Sequence, residues 1–310
     1  MRGGAAGPTR RGYPGRIVSL LAASVPPPLT WERALLGWRL EPLAAVLVLA
    51  GLVGYLYGVR RVGRAGRRWP PGRTAAFLGG LGVLAVATMS GLSAYDDVLF
   101  SAHMAQHMLL TMAAPLLLAL GGPVSLLLGA AGRRGRRATA RLLHSAPIAV
   151  LAHPAVAWVL FVASPFALYF TGLLELSLRN RAVHELVHAH FVVTGLLFCW
   201  PLVGVDPAPR RFPDGVRMLY AVLTLPFHAF LGVAIMGSST LLAGDYYGSL
   251  IRPWGGSPIE EQNAGGALLW VAGDLVGLVL VALVLRQWMR REAHATARED
   301  RRVDLASDLP

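Results

Sequence analysis

An all-α integral membrane fold is predicted, with seven transmembrane helices, the N-terminus outside and the C-terminus in the cytoplasm. Three observations predict it. Of the 310 residues 55% are apolar, and the mean hydropathy is +0.52. Only 15% are charged, against about 25% in an ordinary soluble domain. Apolar runs of about 20 residues, enough to cross the hydrocarbon core as helix, recur along the chain. The same numbers exclude a disordered chain and a soluble globular fold. A single cysteine, Cys199, excludes a disulfide framework and a cysteine-rich metal cluster.

The spans fall at about 41–59, 74–94, 98–120, 147–170, 182–204, 215–237 and 266–287. Lipid offers no partner to a free backbone group, so each is expected to be helical. Pro115, Pro154, Pro165 and Pro226 then predict kinks. Residues 1–40 form an N-terminal arm, 41–287 the membrane domain and 288–310 a polar cytoplasmic tail. No repeat of 20–50 residues is visible. Cys199, in an apolar run, reads as an inert buried thiol.

Charge sets the orientation. All 29 basic residues are Arg, and the net charge is +12. Segment 60–73 holds six, 121–146 five, 205–217 three and the tail from Arg286 six. The alternate loops hold Arg179, Arg181 and Arg252 with six acidic residues. The positive-inside rule puts the Arg-rich loops in the cytoplasm, where they touch anionic lipid; no nucleic-acid partner is expected. The arm's own six Arg conflict with an outside N-terminus. Residues 1–16 and Ile17–Val25 resemble the basic and apolar parts of a signal peptide, so cleavage and an uncleaved outer arm both stay open.

Ionisable residues inside spans are costly and mark function. His103 and His107 stand at i, i+4 in span three, as do His184 and His188 in span five, so each pair shares a helix face. At 1.5 Å per residue all four lie roughly 3–14 Å inside the outer boundary. His228, in span six running the opposite way, and Asp274, in span seven, reach the same layer, and Met89, Met104, Met108 and Met236 fall in the same outer half. This layer is the expected metal site, with His103, His107, His184, His188 and His228 as ligands. Met104 and Met108 sit about 100° off the His face as accessory groups. Asp274 reads as a carboxylate fixing a ring, a proton carrier or an interhelix partner. His190 points away from its pair, and His144, His153 and His294 lie towards the cytoplasm; these four are left out.

Imidazole with thioether favours copper, and imidazole alone also suits zinc. Neutral imidazoles are required, so affinity should weaken below roughly pH 6. His184-Glu185-Leu186-Val187-His188 also matches H-E-x-x-H, in which two His bind zinc and Glu is the general base of a protease. Two further alternatives stay open: His residues as polar glue in a scaffold, and haem ligation.

The run His103-Met104-Ala105-Gln106-His107-Met108-Leu109-Leu110 is followed by Ala114-Pro115-Leu116 and Gly121-Gly122-Pro123. With Tyr169-Phe170-Thr171-Gly172-Leu173, His188-Ala189-His190-Phe191, Gly195 to Leu202, Gly204-Val205-Asp206-Pro207 and Pro226 to Phe230, it resembles the CtaG family. These are bacterial seven-helix cytochrome c oxidase assembly factors. The resemblance covers roughly residues 40–287. It implies a multi-pass plasma-membrane protein, not an enzyme, whose partners are oxidase subunits and whose role is to handle copper for one of them. The family's His pattern carries over to His103, His107, His188 and His228, and less surely to His184. Cys199 stands where the family pattern leads one to expect an aromatic such as Trp.

Overall fold

The computed structural model describes residues 26–209 and 212–307, and every regular element among them is helical. The signal-like part of the arm, residues 1–25, lies outside the described residues. Six helical stretches are long and apolar enough to cross a membrane, and a bent pair makes up to seven.

The short helix α1 (Trp31–Leu36) starts at Thr30, whose side chain accepts a bond from the Arg33 amide. The arm is tied to one end of the bundle. The Tyr95 hydroxyl donates to the Pro27 carbonyl at 2.6 Å, and the Arg39 amide to that of Met89 at 2.8 Å. Helix α2 (Pro42–Arg64) and helix α3 (Pro71–Met89) each open with proline in the first turn, where its missing N–H costs no helical bond. A 3₁₀ turn, Gly91–Ala94, then leads through Asp96 and Asp97 into the third span.

That span is built in pieces. Helix α4 (Phe100–Met108) passes through a π turn, Leu109–Ala113, into α5 (Ala114–Leu120). Pro115 cannot donate to the Thr111 carbonyl four residues back, so the expected kink takes the form of a wide turn just before it. Gly195 answers it from the neighbouring helix: a methyl built there would sit 2.1 Å from the Thr111 carbonyl oxygen. Only glycine lets the two backbones approach this closely.

Beyond the third span, α6 (Pro123–Ala130), α7 (Arg133–Leu143) and α8 (Ala146–Leu151) gather at the Arg-rich end. Asp206 caps α6, accepting from the amides of Val124 at 2.9 Å and Ser125 at 2.7 Å.

The expected fourth span, 147–170, is not one rod. Helix α8 ends at Leu151, α9 (Pro154–Tyr169) follows, and α10 (Leu173–Arg179) turns off it by 72°. Pro154 therefore opens a helix rather than kinking one, and Pro165 rides inside α9. The bend falls at Thr171. Its hydroxyl donates to the Ala167 carbonyl at 2.6 Å and accepts from the Leu173 amide at 3.2 Å, diverting backbone groups from the helical ladder.

Helix α11 (Arg181–Val203) starts on Asn180, which accepts from the amides of Ala182 and Val183. Helix α12 (Asp214–Met236) packs along α14 (Pro258–Ser307), with short α13 (Gly244–Tyr247) between them. The 50 residues of α14 continue without a break from the last span into the polar tail. Along the seam, a methyl at Gly273 would meet the His228 ring at 2.8 Å, the close approach that small residues permit in membrane helices.

The main core holds Phe100, Met104, Met108, Met112, Leu116, Phe161 and Phe191, among others. It lies against the faces of α4 and α11 that carry the histidines and the face of α9 that carries Tyr169.

Candidate metal centre

Helices α4 and α11 each present a histidine pair one turn apart, and their packing brings the pairs together. Ring centroids are 4.0 Å apart for His103 and His107, and 4.3 Å for His184 and His188. Across the helices they are 5.7 Å for His103 and His184, and 5.5 Å for His107 and His188. One nitrogen each from His103, His107 and His184 fall within 4.8 Å of one another. His103 and His107 are fully enclosed, and the His184 side chain retains 15% exposure.

A second ligand set overlaps the first. Asp96, His184 and His188 also bring one ligand atom each within 4.8 Å. The Asp96 carboxylate lies 3.8 Å from Nε2 of His184. Burial, reinforced by the neighbouring Asp97 carboxylate, pushes the Asp96 carboxyl up to about 8.

The rings are held by polar groups behind them. Nδ1 of His107 bonds the Tyr169 hydroxyl at 2.8 Å. Nε2 of His188 donates to the Gln106 carbonyl oxygen at 3.1 Å, and the Gln106 amide donates on to the Ala87 carbonyl at 3.0 Å. Both nitrogens of His103, Nε2 of His107 and Nε2 of His184 are buried with no partner among the described residues. Buried polar atoms nearly always have partners. Unpaired imidazole nitrogens converging on one point are the donor set that copper or zinc accepts.

The remaining expected residues are placed differently. His228 joins neither ligand set; its ring lies 5.7 Å from Phe161, against Gly273 of α14. Its depth matches the cluster, but its helix packs on α14, away from the facing pairs of α4 and α11. The Asp274 carboxylate accepts from its own helix neighbour Trp270 at 2.8 Å. Met104 and Met108 belong to the apolar core. His190 bonds Ser164 at 2.7 Å, on the face turned from its pair. Glu185, the middle of H-E-x-x-H, is in neither ligand set; it lines an apolar groove of about 260 Å³ with Leu47, Leu84 and His188.

Spacing alone does not reveal Asp96 and Tyr169. Asp96 sits in a connection, just ahead of the helix that carries His103. Tyr169 is 62 residues from the ring it holds.

Residues 53–291 match the family described as cytochrome c oxidase caa3 assembly factor (Caa3_CtaG). Over 295 residues the chain is 41% identical to an uncharacterized protein of Mycobacterium tuberculosis, and over 291 residues 37% identical to one of Mycobacterium leprae. Each alignment covers 92% of this chain and 44% of the relative, so the chain spans less than half the length of the curated relatives it matches. No solved structure matches it.

Proposed function

Since this chain belongs to the cytochrome c oxidase caa3 assembly factor family, we propose that it serves oxidase assembly by binding copper at the four-histidine cluster and passing it to an oxidase subunit. The observation that carries this reading is the set of buried, unpartnered imidazole nitrogens on His103, His107 and His184. Neutral imidazole suits copper, and the low polarity around the cluster retains an ion once its water is shed.

Each ring has a fixed job. When Nδ1–H of His107 donates to Tyr169, its Nε2 lone pair is turned to the ion. When Nε2–H of His188 donates to Gln106, its Nδ1 is left as the ligand atom. His103 has both nitrogens to offer. The cluster lies towards the end of the bundle carrying Asp96 and away from the Arg-rich segments. By the positive-inside rule that is the extracytoplasmic side of the plasma membrane.

Family membership supports an assembly role rather than catalysis. The H-E-x-x-H protease reading is less well supported, because Glu185 faces the groove beside α2 rather than the ligand atoms.

The test is Cu(I) titration of the purified full chain against a chromophoric chelator. The expected result is one Cu(I) per chain. His103→Ala with His107→Ala should lower affinity by at least about tenfold, the smallest loss usual when a ligand's support is disturbed. Unchanged affinity in that variant overturns the site. A Soret band in the purified protein would assign the rings to haem instead.

A further inference from the structure

Asp96 stands apart from the buried rings in chemistry and in position. It is an oxygen donor on the connection between α3 and α4, whereas His103 and His107 lie inside the bundle. Yet its carboxylate is 3.8 Å from His184, and with His184 and His188 it forms its own three-atom set within 4.8 Å. His184 belongs to both sets. It is also the most exposed of the four rings, while His103 is sealed.

We propose that Asp96, His184 and His188 form a second ion station, sharing His184 with the buried His103, His107 and His184 set. One ion would then move between them by exchanging ligands around a single ring. This rests on the metal reading above and adds its route.

The chemistry of the two sets differs in the sense a route requires. One oxygen with two nitrogens is the harder set, suited to an ion that still carries water. The buried set is all nitrogen and enclosed, so it suits the same ion once it has lost its water. Neighbouring rings stand 4.0–5.7 Å apart along the path His188, His184, His103 and His107. An ion therefore never has to release all its ligands at once. The ion keeps its oxidation state throughout; no electron donor is involved. Because His184 is shared, the two stations together hold one ion.

The probes are Co(II), read by its d–d absorption, and Cu(I), read by chelator competition, on the purified full chain. The His103→Ala/His107→Ala variant should still bind one Co(II), and adding Asp96→Asn should weaken that binding at least tenfold. In the otherwise unaltered chain, Asp96→Asn should leave one Cu(I) per chain at equilibrium but slow its loading several-fold in stopped flow. The single variant keeps the test decisive should the multiple variant fail to fold. Co(II) binding indifferent to Asp96→Asn, or an unchanged loading rate, overturns the second station while leaving the buried site intact. A chain that binds neither ion overturns both readings.

Discussion

Tyr169 determines how His107 can behave, because a ring nitrogen engaged by a hydroxyl at 2.8 Å is not free to bind an ion. Tyr169→Phe removes that engagement and nothing else of comparable size. The ring is then free to flip or to change tautomer, and Cu(I) affinity should fall about 10–100-fold with the unfolding temperature in detergent nearly unchanged. An unchanged affinity would mean that Tyr169 merely packs. At this scale the four clustered histidines were legible in the sequence, since i, i+4 spacing and depth in a span are both local properties. Asp96 was not, because a scan for apolar runs treats connections as punctuation. Nor was His228 correctly placed: depth alone cannot tell which neighbour a helix faces.

Between elements, the contact of α11 with the third span decides whether the two histidine pairs meet. Thr111, released by Pro115, projects its carbonyl towards Gly195, and there is no room for a side chain. Gly195→Val should cost about 1–3 kcal/mol, the usual range for overpacking, seen as a lower unfolding temperature. It should also weaken Cu(I) binding, since it pushes the helix of His184 and His188 away from that of His103 and His107. A destabilised variant with undiminished affinity would separate this contact from the site. Hydropathy located five of the long helices to within a few residues, with starts at Pro42, Pro71, Phe100, Arg181 and Asp214 against about 41, 74, 98, 182 and 215, whereas the last starts at Pro258 against about 266. The fourth span was misread because proline suggested where it would bend. The bend instead follows Thr171, whose side-chain bonds compete with the backbone's own, a signal hydropathy does not carry.

At the scale of the whole molecule, acidic and basic ends are segregated, and this makes orientation measurable. Cys199 is buried, so an introduced cysteine is expected to give the dominant signal with a membrane-impermeant maleimide. Ser257→Cys and Thr171→Cys, both exposed on the histidine side, should label in intact cells. Ser145→Cys, at the arginine-rich end, should label only after permeabilisation; the reverse pattern would invert the topology. The continuation of the last helix was not legible either, since a polar segment after a span reads equally well as loose tail. As an unbroken helix through Ser307, its final 20 or so residues extend about 30 Å. Whatever meets that distal tip is kept at a set standoff from the lipid headgroups, as on a mast rather than a tether.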